Sequence, residues 1–255
     1  MESNKMVYTY REERLHEAVS LRQALNLEEA GLRGQRPIIS VVGAGGKTTT
    51  LHRLADEYAK AGLPVLVTTT THIMEEDRPW FLSGYSPEEI TDCLRKFGQA
   101  WAGIPAPGGK LGILPEDALE EIRGWKIPLL MEADGARGFA LKAPAEHEPV
   151  ILPWTTHVLS VYGLDGVGKR IEDTVFRPEV AEILLKKKKT ERVTAGDIAC
   201  LAASEQGGRK GCPAGAVYTV VLNKADEEGL DKTALMICKA LERKGISRVI
   251  VTGRG

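Results

Sequence analysis

Residues 43–50 read Gly-Ala-Gly-Gly-Lys-Thr-Thr-Thr, and their flanks limit the folds open to this chain. Before them, Pro37-Ile38-Ile39-Ser40-Val41-Val42 is a short β-branched run, the pattern of a strand buried on both faces. After them, Thr49 to Ala61 carries Leu51, Leu54, Ala55, Tyr58 and Ala59 on one helical face, and Gly62 stops it. Pro64 to Thr68 is a second apolar strand. Strand, glycine loop, helix and strand in that order make a βαβ unit, so the two strands run parallel.

The rest of the chain repeats the alternation. Helices are expected at Pro87–Phe97, Pro115–Arg123, Glu179–Lys186, Thr194–Ser204 and Lys232–Arg243. Strands are expected at Gln99–Ile104, Pro128–Glu132, His157–Tyr162, Val217–Leu222 and Arg248–Thr252. Arg11 to Ala30 reads as a helix, from Leu15, Ala18, Val19 and Leu25 at a 3- to 4-residue period. The fold class is α/β: a mostly parallel sheet with helices on both faces, P-loop NTPase-like. Its 255 residues fit one domain, 1–255, with an N-terminal helical extension (1–35) and a small helical insertion or subdomain near 165–215.

The glycine loop has the chemistry of a phosphate cradle. Small residues let consecutive backbone N–H groups turn toward phosphate oxygens at a helix N-terminus. Gly43, Ala44, Gly45, Gly46 and Thr49 would line it, Lys47 would reach the β- and γ-phosphates, and Thr48 would place its hydroxyl on Mg²⁺. The full GxxxxGK[ST] pattern asks for glycine at 41, where Val41 stands, so the shorter loop is closer to that of Mur-type ligases. Leu129 to Gly135 is an apolar strand ending in Glu132 and Asp134, the place where a carboxylate holds magnesium in such sheets. Asp134 is the favoured metal ligand, with Glu132 supporting it or orienting water.

Val220 to Asp226 is an apolar strand followed by Asn-Lys-Ala-Asp, a guanine-reading pattern. The Asp226 carboxylate would accept from N1–H and the 2-amino group of guanine, donors that adenine lacks there. Asn223 would hold the loop and contact the base, and the Lys224 stem would cover the ring. Another landmark of guanine-nucleotide proteins, DxxG, is absent, because Arg137 stands three residues after Asp134. The nucleotide is therefore GTP or ATP, with Mg²⁺.

The segments 41–51 (VVGAGGKTTTL), 67–73 (VTTTTHI), 131–151 (MEADGARGFALKAPAEHEPVI), 161–169 (VYGLDGVGK) and 221–229 (VLNKADEEG) together closely resemble the YqeC family. The resemblance runs from about residue 20 to 252. It implies a bacterial cytoplasmic P-loop protein that assists maturation of selenium-dependent molybdenum hydroxylases, whose partner would be such a hydroxylase or its cofactor. Within the quoted segments, Thr71, His72, Arg137, Lys142 and His147 are candidates for a second substrate. Two other readings stay open: a small-molecule kinase or ligase, and a nucleotide-dependent chaperone that does not hydrolyse.

Composition removes several classes. Lys+Arg is 34 against Asp+Glu 35, a net charge of -1, so a polyanion-binding surface is not expected. Aromatics at 5% argue against a base-stacking nucleic-acid platform. No apolar stretch approaches the ~18 residues of a membrane span, and Met1 to Glu13 is polar. Cys93, Cys200, Cys212 and Cys238 have no metal-binding spacing, which fits a cytoplasmic protein with reduced thiols. Arg209 and Lys210 beside Cys212 would lower its pKa.

Overall fold

The structure is a computed structural model and describes residues 6–28, 36–225 and 230–253. Two strands open it, β1 (Val7–Arg11) and β2 (Arg14–Glu17), followed by a one-turn helix, α1 (Leu21–Ala24). Then come β3 (Ile38–Gly43), α2 (Lys47–Lys60), β4 (Val65–Thr69), β5 (His72–Met74), β6 (Phe81–Ser83), α3 (Pro87–Phe97), β7 (Gln99–Ala106), β8 (Lys110–Gly112) and α4 (Glu116–Gly124). The second half holds β9 (Leu129–Glu132), β10 (Leu141–Lys142), β11 (His157–Gly163), α5 (Ile171–Thr174), β12 (Val175–Phe176), α6 (Pro178–Leu185), α7 (Ala195–Ala203), β13 (Val217–Ala225), α8 (Leu235–Glu242) and β14 (Val249–Gly253).

The strands join in the order β2-β1-β14-β13-β11-β3-β9-β4-β7-β8-β5, with β6 beside β7. From β14 to β7 every pairing is parallel, and the antiparallel pairs β1–β14, β1–β2, β7–β8 and β5–β8 make the sheet mixed at its two ends. The expected α/β class with a mostly parallel sheet is what forms. Strand alternation sorts the core. Ile39, Val41, Val65, Val67, Leu130, Leu159 and Val161 face α1 and α2 on one side. On the other side Ile38, Leu66, Leu129 and Met131 face α3 and α4. Beside them on that side, Val158, Tyr162, Val220 and Leu222 face α6, α7 and α8.

Among the described residues, the single N-terminal helix expected over Arg11–Ala30 is replaced in its first part by a strand hairpin. Tyr8, Thr9, Tyr10 and Arg11 pair with Glu17, His16, Leu15 and Arg14, around a turn at Glu12 and Glu13 with φ of 49° and 59°. Pairing decides it: β1 closes the β14 edge, where Val7 and Tyr10, on opposite faces of the strand, join the cores on the two sides of the sheet, and Val19, read as an inward helix position, is 90% exposed. The Tyr10 hydroxyl donates to Glu242 (2.7 Å), which ties the hairpin to α8. Within the described part of that stretch helix is seen at Leu21–Ala24, capped by Ser20, and again at Leu27 and Glu28. The helical stretch expected near 165–215 contains α5, α6 and α7, the last ending at Ala203, and β12 within it pairs with β10 in a separate two-stranded sheet. No helix among the described residues is long and apolar enough to cross a membrane.

Candidate functional site

Because β3, β9, β11, β13 and β14 are parallel, their carboxyl ends meet at one edge. The glycine loop leaves β3 at the centre of the sheet, with β9 and β11 on either side. The chain runs from β3 to β4 on one side and later crosses to β11 on the other, the switch geometry at which open α/β sheets take ligands.

Glycine is required in the loop itself. Gly43, Gly45 and Gly46 have φ of +92°, +81° and +135°. A Cβ on Gly45 would stand 2.3 Å from Gly163 N, and one on Gly46 would stand 1.9 Å from Asn223 Nδ2. The loop is thus pressed against the ends of β11 and β13. Gly43 N–H donates to Asp134 (3.0 Å) and Ala44 N–H to Val161 O (2.9 Å). The next five N–H groups, Gly45 through Thr49, have no acceptor among the described residues, and Thr50 N–H begins the helical ladder on Gly46 O.

Charged groups crowd beneath. Lys47 Nζ donates to Gly43 O (2.9 Å) and lies 3.2 Å from Asp134 and 3.8 Å from Glu132. Asp134 also pairs with Lys142 (3.0 Å), Lys142 with Glu148 (2.8 Å), and Glu148 with Arg177 (2.6 Å). Positive and negative groups alternate from the loop lysine to the start of α6. Lys47, Glu132, Asp134 and Lys142 are all buried. Burial pushes the Glu132 carboxyl above its ordinary range, against the pull of Lys47 and the Thr48 hydrogen bond. Burial also acts upward on Glu148, but the hydrogen bonds and charges of Arg177 and Lys142 outweigh it and pull that carboxyl down to about 2.

Thr48 Oγ1 donates to Glu132 (2.8 Å), while Asp134 Oδ1 is buried with no hydrogen-bond partner. Its 3.2 Å approach to Lys47 Nζ is an ion pair without hydrogen-bond alignment. Thr48, Glu132 and Asp134 thus gather hard oxygens within reach of one lysine, the donor chemistry that magnesium takes alongside phosphate oxygens. Among the described residues no cluster of three or more His, Cys, Asp and Glu forms a metal cage. A Mg²⁺ ion here would therefore need the phosphates to complete its shell.

The expected residues separate into two groups. Lys47, Thr48, Glu132, Asp134 and Lys142 converge, and Asn223 joins them from β13. Its amide donates to Gly45 O (2.9 Å) and accepts from Thr252 Oγ1 (2.7 Å), so its side chain braces the loop. Thr71 N–H bonds the Thr69 hydroxyl, which in turn donates to Glu132 O. His72 is exposed opposite Gly112, and His147 is exposed in the loop after β10. Arg137 is exposed over the Phe176 ring, 5.6 Å away. Asp226 lies outside the described residues. Glu148, Arg177 and Thr252 were not anticipated; Arg177 and Thr252 act through partners 29 residues away, and Glu148 joins Arg177 to Lys142, six residues before it. Cys212 departs from expectation: burial pushes its thiol up, outweighing Arg209.

A family model described as YqeC protein matches residues 39–179, the span that carries the glycine loop, both acids, Lys142, Glu148 and Arg177. The chain belongs to the YqeC family. It is 31% identical over 206 residues to "Uncharacterized protein YqeC" of Escherichia coli (strain K12), across 77% of this chain and 79% of that protein. No solved structure matches it.

Proposed function

We propose that this YqeC-family chain is a magnesium-dependent nucleoside triphosphate-binding protein of the P-loop kind. The five consecutive unclaimed N–H groups from Gly45 to Thr49 carry the reading: at the end of a fourteen-residue helix they point to an anion with several oxygens. Lys47 would hold the phosphate oxygens, and Thr48, Glu132 and Asp134 would hold the metal. Bound there, Mg²⁺ would neutralise phosphate charge. Asp134 keeps Lys47 and Lys142 in place at the loop. Asn223 fixes the loop's curvature. The resemblance of the motifs supports a setting in the maturation of selenium-dependent molybdenum hydroxylases, with nucleotide turnover acting on the client or its cofactor.

Transfer to a second substrate is the alternative to hydrolysis. It is supported by the Arg137, Lys142 and Arg177 cations grouped 4.4–5.8 Å from the Phe176 ring, next to Asp134. Calorimetric titration with Mg-GTP and Mg-ATP tests the main reading. Lys47→Ala should weaken the preferred nucleotide by roughly 100-fold or more, the loss of a charged phosphate contact. Equal affinities in the two proteins would refute it.

A further inference from the structure

On the β13 side, a second ion pair sits beyond the loop and takes no part in the chain of charges under Lys47. β13 and β14 slip register between Leu222 and Ala225, and within that bulge Lys224 adopts a left-handed backbone with φ of 62°. Bulges near sites re-aim a side chain. Here the aim is clear: Lys224 Nζ reaches Asp165 Oδ2 at 3.1 Å. Asp165 lies in the 3-10 turn Leu164–Gly166 that directly follows β11. β11 and β13 are neighbours, with Gly163 opposite Asn223. The lysine stem therefore spans from one strand end to the next, across the sheet edge, beside Gly163, against which Gly45 is packed. The other Asp165 oxygen is buried and has no hydrogen-bond partner.

We propose that Asp165 is a specificity-determining positioning residue of the nucleotide site: it tethers Lys224 so that the lysine's four-carbon stem forms an apolar wall for the nucleobase. This deepens the nucleotide reading and rests on it. A free lysine samples many rotamers and offers a base no defined surface. Anchored at its tip, the same stem is an extended strip of methylene groups, suited to the face of a flat heterocycle. Asn223, the preceding residue, is bound to Gly45 O. The wall is thereby held at a fixed distance from the phosphate cradle. Asp165 touches neither base nor phosphate in this arrangement and acts through Lys224.

The test separates base from phosphate. Wild type, Asp165→Asn, Lys224→Ala and the double variant are titrated by calorimetry with Mg-GTP, Mg-ATP and Mg-tripolyphosphate, which has the phosphates and no base. Asp165→Asn should lose roughly fivefold in affinity for the nucleotides, the scale of a partly buried ion pair, and none for tripolyphosphate. In the Lys224→Ala background it should cost nothing more. Equal losses for nucleotide and tripolyphosphate, additive losses in the double variant, or no loss at all would overturn the proposal. Wild type that binds tripolyphosphate and nucleotides equally well would overturn it while leaving the phosphate cradle standing. Wild type that binds none of the three would overturn the nucleotide reading itself.

Discussion

The two flanks of the glycine loop hold it by different physics. On the β9 side the contacts are charges: Lys47, Asp134, Lys142, Glu148 and Arg177 alternate in sign at 2.6–3.2 Å. On the β13 side the groups that touch the loop are neutral, the Lys224–Asp165 pair lying beyond it: the Asn223 amide bridges Gly45 O and the Thr252 hydroxyl, in a space that Gly46 leaves open by lacking a Cβ. Buried charges cost desolvation and are stable only while each is paired, so the β9 flank is sensitive to any new charge. Neutral hydrogen bonds are indifferent to pH and salt, so the β13 flank keeps the loop's shape while the other responds. An arriving polyphosphate would compete for Lys47 with Asp134, and Asp134 would retain Lys142.

The comparison breaks most sharply at its middle charge. Lys142→Met should cost about 3–5 kcal/mol of stability in chemical denaturation, because it leaves buried Asp134 and half-buried Glu148 facing each other with one cation fewer. A loss under about 1 kcal/mol would mean that the charges are not coupled as described. Next in size is Asn223→Ala, which removes two buried hydrogen bonds and should cost about 2–3 kcal/mol, with no change between low and high salt. Salt dependence there would erase the distinction between the flanks.

The smallest effect is the pH response of the charged flank. Glu148 is held at about 2, below its ordinary 4.5. A depressed carboxyl contributes stability in full above its unfolded value and loses it as pH falls through the folded one. The loss should therefore fall between about 4.5 and about 2, and amount to roughly 1–2 kcal/mol after solvent screening. Glu148→Gln should flatten that part of the profile relative to wild type; an unchanged slope would show that other carboxylates carry it.

Much of this architecture was readable from residues near one another. The glycine loop, its strand and its helix announced themselves because local spacing and small residues specify them, and Lys47, Thr48, Glu132 and Asp134 followed from strand ends. Parallel pairing then brought those ends together. The hairpin at Tyr8–Glu17 was hidden because Leu15, Ala18 and Leu25 fit a helical period, whereas pairing with β14, over 230 residues away, decided the matter. Arg177 and Thr252 were hidden for a related reason: their partners, Glu148 and Asn223, stand 29 residues away and are met only through tertiary packing. In the Asn-Lys-Ala-Asp segment Asn223 was read as holding the loop and contacting the base, and its side chain is seen bracing the glycine loop. A cavity of about 900 Å³ opens between Gly62, Pro64, Phe97 and Trp125 at the opposite edge of the sheet. It is far from these groups and contributes nothing to the reading of the site.

The central claim is that the N–H groups of Gly45 to Thr49 await phosphate oxygens. Amide chemical shifts of the ¹⁵N-labelled protein, followed by NMR as a Mg-nucleoside triphosphate is added, test it most directly. These five amides should show the largest displacements in the protein and saturate together. Saturating nucleotide that leaves them unmoved, or that displaces amides elsewhere instead, would contradict it.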